Sequence, residues 1–230
     1  MHFDISNFLK YTLKMLPYLK ITFAYVAAAF FLGVLFGGIL AFLKLCKVKI
    51  LKITGIAYTA VFRSIPPVVL LFLVYYGLPL ILGTDSQKRL FYVCVTLTLL
   101  STASISEVFR SAYRAVPKGQ YEAAVSIGLS PVQALRRIIF PQAFSYALPN
   151  LATVIIGLLK DGSLAFTIGL VDIFGKANAL NNTTFSRYIL EIYLALTLIY
   201  WIISRLIEIG SHRLEKMFSI RKALKKKETA

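Results

Sequence analysis

Five stretches of this chain are apolar for long enough to leave water, and that constrains its fold more than any other feature. A helix needs about 20 mostly apolar residues to cross the hydrocarbon core of a bilayer. The runs near residues 21–43, 55–82, 90–116, 142–159 and 188–209 approach or exceed that length. With 58% hydrophobic residues, the chain is far more apolar than an ordinary soluble domain. The expected fold class is therefore all-α, an integral membrane bundle of five transmembrane helices. Residues 1–230 read as one domain: a membrane core over 19–209, a polar loop over 117–137 and a basic tail over 210–230.

A net charge of +16 would point to nucleic acid in a soluble protein. In a membrane protein, lysines and arginines instead hold loops on the cytoplasmic side, and no nucleic-acid partner is expected. Residues 1–20 contain Asp4 and interrupted apolar residues, which does not fit a cleaved signal peptide. Lys10, Lys14 and Lys20 alternate there with Phe8, Leu9, Leu13 and Leu16 in a roughly helical rhythm. That pattern suits either a short interfacial helix or a frayed terminus. Five spans put the two ends of the chain on opposite sides. Placing the tail, the 44–52 turn and the 117–137 loop together collects most of the 26 lysines and arginines on one side. The expected orientation is N-terminus outside and C-terminus cytoplasmic.

Several spans carry features that lipid alone would not tolerate. Gly33, Gly37 and Gly38 give the first span small-residue spacing for close helix packing, and Lys44, Lys47, Lys49 and Lys52 follow as a basic turn. The second span is broken at Arg63-Ser64-Ile65-Pro66-Pro67, where two prolines remove two backbone donors. The third carries Ser101, Thr102, Ser104, Ser106, Glu107 and Arg110, so this polar face should look into the bundle. Arg63 and Glu107 lie at similar depth, roughly 12 to 14 Å from the cytoplasmic ends at ~1.5 Å per residue. They are a candidate pair inside the membrane; the alternative is that Glu107 pairs with Arg110 or Arg114 along its own helix. The fourth span, with Pro149 inside it, is expected to break at Lys160-Asp161-Gly162-Ser163. Lys160 and Asp161 there can cap helix ends and pair with each other. Asn178, Asn181, Asn182, Thr183 and Thr184 read as a polar external loop.

The 117–137 loop is a polar segment in an apolar chain. Glu122-Ala123-Ala124 favours helix, Gly128 ends it by reaching backbone angles other residues avoid, and Ser130-Pro131 starts a second helix. Two short helices joined by a glycine turn make a compact knob. These residues, with Ile138 and Pro141 further on, resemble the EAA loop of ABC-importer permeases. Val116-Pro117-Lys118-Gly119-Gln120 and Pro141-Gln142-Ala143 narrow the resemblance to the polar amino-acid uptake branch. Phe62-Arg63-Ser64-Ile65-Pro66-Pro67, Tyr75-Tyr76-Gly77-Leu78-Pro79 and Lys160-Asp161-Gly162-Ser163-Leu164 are similar to further elements of the family. The departures are Ser64 for the usual glycine, the doubled proline, and Gly162 where threonine is usual.

The resemblance implies a type I importer fold with a cytoplasmic coupling helix, in a bacterial inner membrane. Lys118, Gly119, Gln120, Glu122, Ala123, Ala124 and Gly128 would meet a groove of an ATPase. It also implies a pathway lined by Arg63, Ser64, Glu107, Lys160, Asp161 and Ser163. Asp161 would meet a substrate amino group, and Lys160 or Arg63 its carboxylate. The implied partners are two ATPase subunits that hold ATP and magnesium, a second permease (identical or sister chain), an extracytoplasmic substrate-binding protein, membrane lipid and a polar amino acid, cystine being one candidate. The chain itself carries no phosphate-cradling loop ending in Lys-Ser or Lys-Thr, no catalytic constellation, and no cofactor motif. Cys46 and Cys94 read as packing residues, and His2 and His212 are too far apart to share a metal. The alternative class is an ion-coupled secondary transporter or channel using Glu107, Arg63 and Asp161. Against it, no pair of matching discontinuous helices suggests inverted repeats.

Overall fold

A computed structural model describes residues 3–83 and 88–228; Met1 and His2 lie outside them. The described residues form helices and connecting turns, with no strand among them. Helix α1 (Ile5–Met15) is capped by Asp4, whose side chain accepts from Ser6 N–H, and passes through a 3₁₀ turn (Leu16–Tyr18) into α2 (Leu19–Leu45). Helix α3 (Lys49–Ser64) and α4 (Pro67–Phe72) follow, continued by a π-helical turn (Leu73–Gly77) and α5 (Leu78–Leu82). Then come α6 (Arg89–Ala115), α7 (Lys118–Ser126), α8 (Pro131–Ala134), a second π-helical turn (Leu135–Ile139) and α9 (Phe140–Gly162). A 3₁₀ stretch (Ser163–Ile168), α10 (Ile173–Thr183) and α11 (Ile189–Glu228) complete the chain. Four continuous helical runs are long and apolar enough to span a membrane, and the broken pair 49–64 and 67–82, bent by 102°, supplies a fifth.

The bend is local chemistry. Residues before proline are pushed out of the α region, and Ile65 and Pro66 are both extended, with ψ of 127° and 136°. Parallel packing of α2 on α6 forms the centre of the bundle. A Cβ on Gly33 would lie 2.8 Å from Ser101 Cβ, and one on Gly37 would lie 3.1 Å from Ile105 Cβ, so these two glycines let the backbones approach. Gly38 has ordinary room, with Phe109 3.8 Å away. The polar face of α6 does turn inward: Ser101, Thr102 and Ser106 are buried, and Ser101 donates to the Ala29 carbonyl at 2.9 Å.

Three expectations are corrected. The fourth span does not break at Lys160–Ser163: α9 tightens into the 3₁₀ stretch and ends only at Gly169, at φ +79°. The supposed outer loop is largely helix. Asn178, Asn181, Asn182 and Thr183 belong to α10, because Ile173, Ala177 and Leu180 recur at helical spacing and pack among Tyr11, Met15, Ile192 and Ala195. Lys44 is not a loop residue but occupies the last turn of α2, 2% exposed. The basic tail, for its part, continues α11 without a boundary at residue 209.

Candidate functional site

Two regions of the bundle collect the residues singled out from the sequence. The first is the knob at the end of α6. Helix α7 closes with a Schellman arrangement: Leu129 N–H donates to the Ala124 carbonyl at 3.2 Å and Gly128 N–H to that of Val125 at 2.9 Å. Gly128 sits at φ +86°, the left-handed region that glycine enters without a Cβ penalty. Ser130 then opens α8 with a reciprocal capping box, its Oγ accepting from Gln133 N–H while the Gln133 side chain accepts from Ser130 N–H. Lys118, Gly119, Gln120, Glu122, Ala123 and Gly128 are exposed, whereas Ala124 is buried and roots the helix. Apolar Ile127 and Val132 stand 79% and 71% exposed beside them. Gln142 of α9 donates to the Gln120 side chain at 3.3 Å and to the Ile138 carbonyl at 3.0 Å, tying the knob to the next span. A cavity of about 460 Å³ opens behind α7, bordered by Arg114, Lys118, Tyr121 and Glu122.

The α2–α3 turn and the start of the tail lie at this same end. Lys44 reaches Glu107 of α6, Ser211 of α11 donates to the Leu148 carbonyl at 3.2 Å, and the rings of Phe144 and Phe218 meet at 5.4 Å.

The second region lies where the broken span meets the end of α9. Pro67 of α4 and Asp161 and Gly162 of α9 line one small space of about 10 Å³, closed by Leu71, Thr96 and Leu97. Two sequence elements nearly a hundred residues apart are thus neighbours. Asp161 is half-buried, and its carboxylate has no hydrogen-bond or ion-pair partner among the described residues. Arg63 and Lys160 are exposed and likewise make no ion pair among them. Lys160 and Asp161 therefore do not pair with each other. The hydroxyls of Ser64 and Ser163 turn back on their own helices, donating to the Ala60 and Lys160 carbonyls at 2.7 and 2.6 Å.

The suggested Arg63–Glu107 pair is not formed. Glu107 is neutralised instead by Lys44, at 2.8 Å, and by Arg110 three residues along its own helix. Lys44 Nζ also donates to Ser106 Oγ at 2.7 Å and to Thr59 Oγ1. A lysine has three donor hydrogens, and all three are used, joining α2, α3 and α6. Lys44 escaped the sequence reading because it follows 23 mainly apolar residues and precedes three more lysines, a pattern that looks like a solvated turn. Asp172 escaped as well: its burial depends on a tertiary contact with Tyr25 and Thr22.

An all-helical bundle with a broken second span and a two-helix knob at one end has the type I ABC-importer permease fold. It is similar to a chain in a crystal structure of an amino acid ABC transporter with histidines, at TM-score 0.83 and 29% identity, covering 94% of this chain and 100% of that one. An inward-facing MetNI methionine ABC transporter shares the fold at TM-score 0.68 and 23% identity, over 87% of this chain and 92% of that one. Residues 33–219 match the family described as the binding-protein-dependent transport system inner membrane component, and the chain belongs to that family. Among curated relatives it is 37% identical to the L-cystine transport system permease protein TcyL of Bacillus subtilis, over 90% of this chain and 87% of that protein. It is also 37% identical to the probable amino-acid permease protein YxeN of the same organism, over 87% and 89% of the two chains.

Proposed function

We propose that this chain is the permease subunit of an ATP-driven, binding-protein-dependent importer of a polar amino acid, with L-cystine the first candidate. The observation that carries this reading is the knob. It is a rigidly capped pair of helices, exposed at the end where the basic turn and tail gather, and fused directly to the third span through Val116-Pro117. In this reading the knob end is cytoplasmic and the N-terminus lies outside. Two ATPase subunits, which hold ATP and magnesium, receive Lys118, Gly119, Gln120, Glu122, Ala123 and Gly128 in their grooves, while Ala124, expected there from the sequence, is buried and holds the helix from behind. A second permease, identical or sister, completes the path, and an extracytoplasmic binding protein delivers the solute. ATP-driven closure of the ATPases draws the two knobs together, and the spans turn as near-rigid bodies to exchange inward for outward access. Asp161 meets the amino group of the solute, and Arg63 or Lys160 its carboxylate. Leaving such charges unpaired in a span is costly unless they face a wet cavity or a ligand.

The test is to purify the chain with its co-eluting partners, reconstitute it, and screen amino acids, L-cystine first, for stimulated ATP hydrolysis with the binding protein present. Stimulation by one amino acid or a small group is expected. Uptake that persists after the ATPase is inactivated would instead favour ion-coupled transport.

A further inference from the structure

Asp172 is fully buried, and no step of the transport reading uses it. One oxygen, Oδ1, accepts from Gly175 N–H at 2.9 Å and closes the first turn of α10. That much a serine or asparagine would do equally well at a helix N-terminus. The other oxygen is spent across the bundle: Oδ2 accepts from Tyr25 Oη at 2.8 Å and from Thr22 Oγ1 at 3.2 Å, both on α2. Tyr25 is itself fully buried, and its ring occupies the space a side chain at position 162 would need. A Cβ there would lie 2.8 Å from Tyr25 Oη and 2.9 Å from Cζ, closer than real Cβ contacts come. The residue before Gly162 is Asp161, half-buried, without a partner among the described residues, and facing the space it shares with Pro67.

We propose that Asp172 and Tyr25 are positioning residues for the solute path. The carboxylate anchors the phenol, the phenol ring abuts the backbone at Gly162, and that contact sets the direction of the Asp161 carboxylate. Gly162, the departure from the family's usual threonine, is the seat of the ring. The proposal rests on the importer reading only for what Asp161 meets.

Two measurements on the full chain in its reconstituted complex decide the matter. In the first, Asp161→Cys is introduced with Cys46 and Cys94 replaced by alanine, and its labelling rate by a charged thiosulfonate is followed. Adding Tyr25→Phe or Asp172→Asn, each of which removes or weakens the anchor while keeping shape, should change that rate about tenfold, the scale of one hydrogen bond to a charged group. Gly162→Ala should lower folded yield, and Tyr25→Val in the same chain should restore it. In the second, Tyr25→Phe should raise the half-saturating concentration for the amino acid that the parent complex transports about tenfold, with a smaller fall in maximal rate, as expected when binding geometry is loosened. An unchanged labelling rate in both anchor variants, or full tolerance of Gly162→Ala beside Tyr25, overturns the proposal. A parent complex that transports no amino acid sinks the importer reading alone, since the labelling measurement does not depend on transport.

Discussion

Removing Lys44 should harm the protein less than removing the charge of its partner. The Lys44 side chain is 1% exposed and that of Glu107 is 23% exposed. Glu107→Gln takes away the carboxylate that pairs with the buried Lys44 ammonium, and deleting one member of a buried pair costs about 3–5 kcal/mol. Lys44→Met removes the buried charge itself and keeps most of the stem. Glu107 then retains Arg110, and the hydroxyls of Thr59 and Ser106 keep the Gly55 and Ala103 carbonyls, at 3.1 and 2.7 Å. Only Glu107 Oε1 loses its partner, in a side chain that is 23% exposed, so the cost should be about 1–2 kcal/mol, the net worth of the lost hydrogen bonds. The double variant should be more stable than Glu107→Gln alone, because the stranded charge has gone. The assay is equilibrium unfolding of the purified chain in mixed micelles, titrated with a denaturing detergent, for all four members of the cycle. Groups in one network usually couple by about 0.5–3 kcal/mol. Additive costs, or a Lys44→Met variant as unstable as Glu107→Gln, would refute the view that Lys44 is held there as a neutralised charge.

Gly128→Val should strain the knob without crowding it, since a Cβ at 128 meets nothing within 4 Å and the left-handed backbone alone costs about 1–2 kcal/mol. ATP hydrolysis should then uncouple from uptake while the chain still inserts, whereas Gly128→Asn stays near the parent; normal uptake in the valine variant would count against the coupling role. Gly33→Leu should disrupt the contact of α2 with α6 and cut the folded yield, while Gly38→Ala is tolerated, as fluorescence-detected size exclusion will read directly. Arg63→Gln should leave unfolding stability within about 0.5 kcal/mol, as for residues without structural partners, yet lower uptake; a clear loss of stability would mean that Arg63 has a structural partner.

The sequence made local features legible where local chemistry decides them. Pro66-Pro67 foretold the 102° break, and Gly128 with Ser130-Pro131 foretold the two-helix knob, because dihedral restriction and capping act within a few residues. The polar side of α6 announced its own burial, since lipid leaves such a face no other place. What did not show were the outcomes that depend on a distant neighbour. Asparagines and threonines in 178–184 look like a loop until α1 and α11 supply the surface on which Ile173, Ala177 and Leu180 pack. Lys160-Asp161-Gly162 looks like a helix break because glycine weakens helices. It is instead helix that made room for the Tyr25 ring.

The same distinction separates scaffold from pathway among the charges of the spans. Lys44 and Arg110 share the Glu107 carboxylate inside the bundle, and Asp172 is satisfied on both oxygens. Each of these clusters fastens α2 to another helix, so α2, α3, α6 and α10 are bound together by contacts that cost energy to break. Arg63, Asp161 and Lys160 have no such partners among the described residues, although a charge in a span costs more when left alone. The carboxylates of Glu107 and Asp172 are thus matched by structural partners, and that of half-buried Asp161 is not. Asp161 lines the junction where Pro67 meets Gly162, so in the proposed importer it is the carboxylate left over for the amino group of a solute.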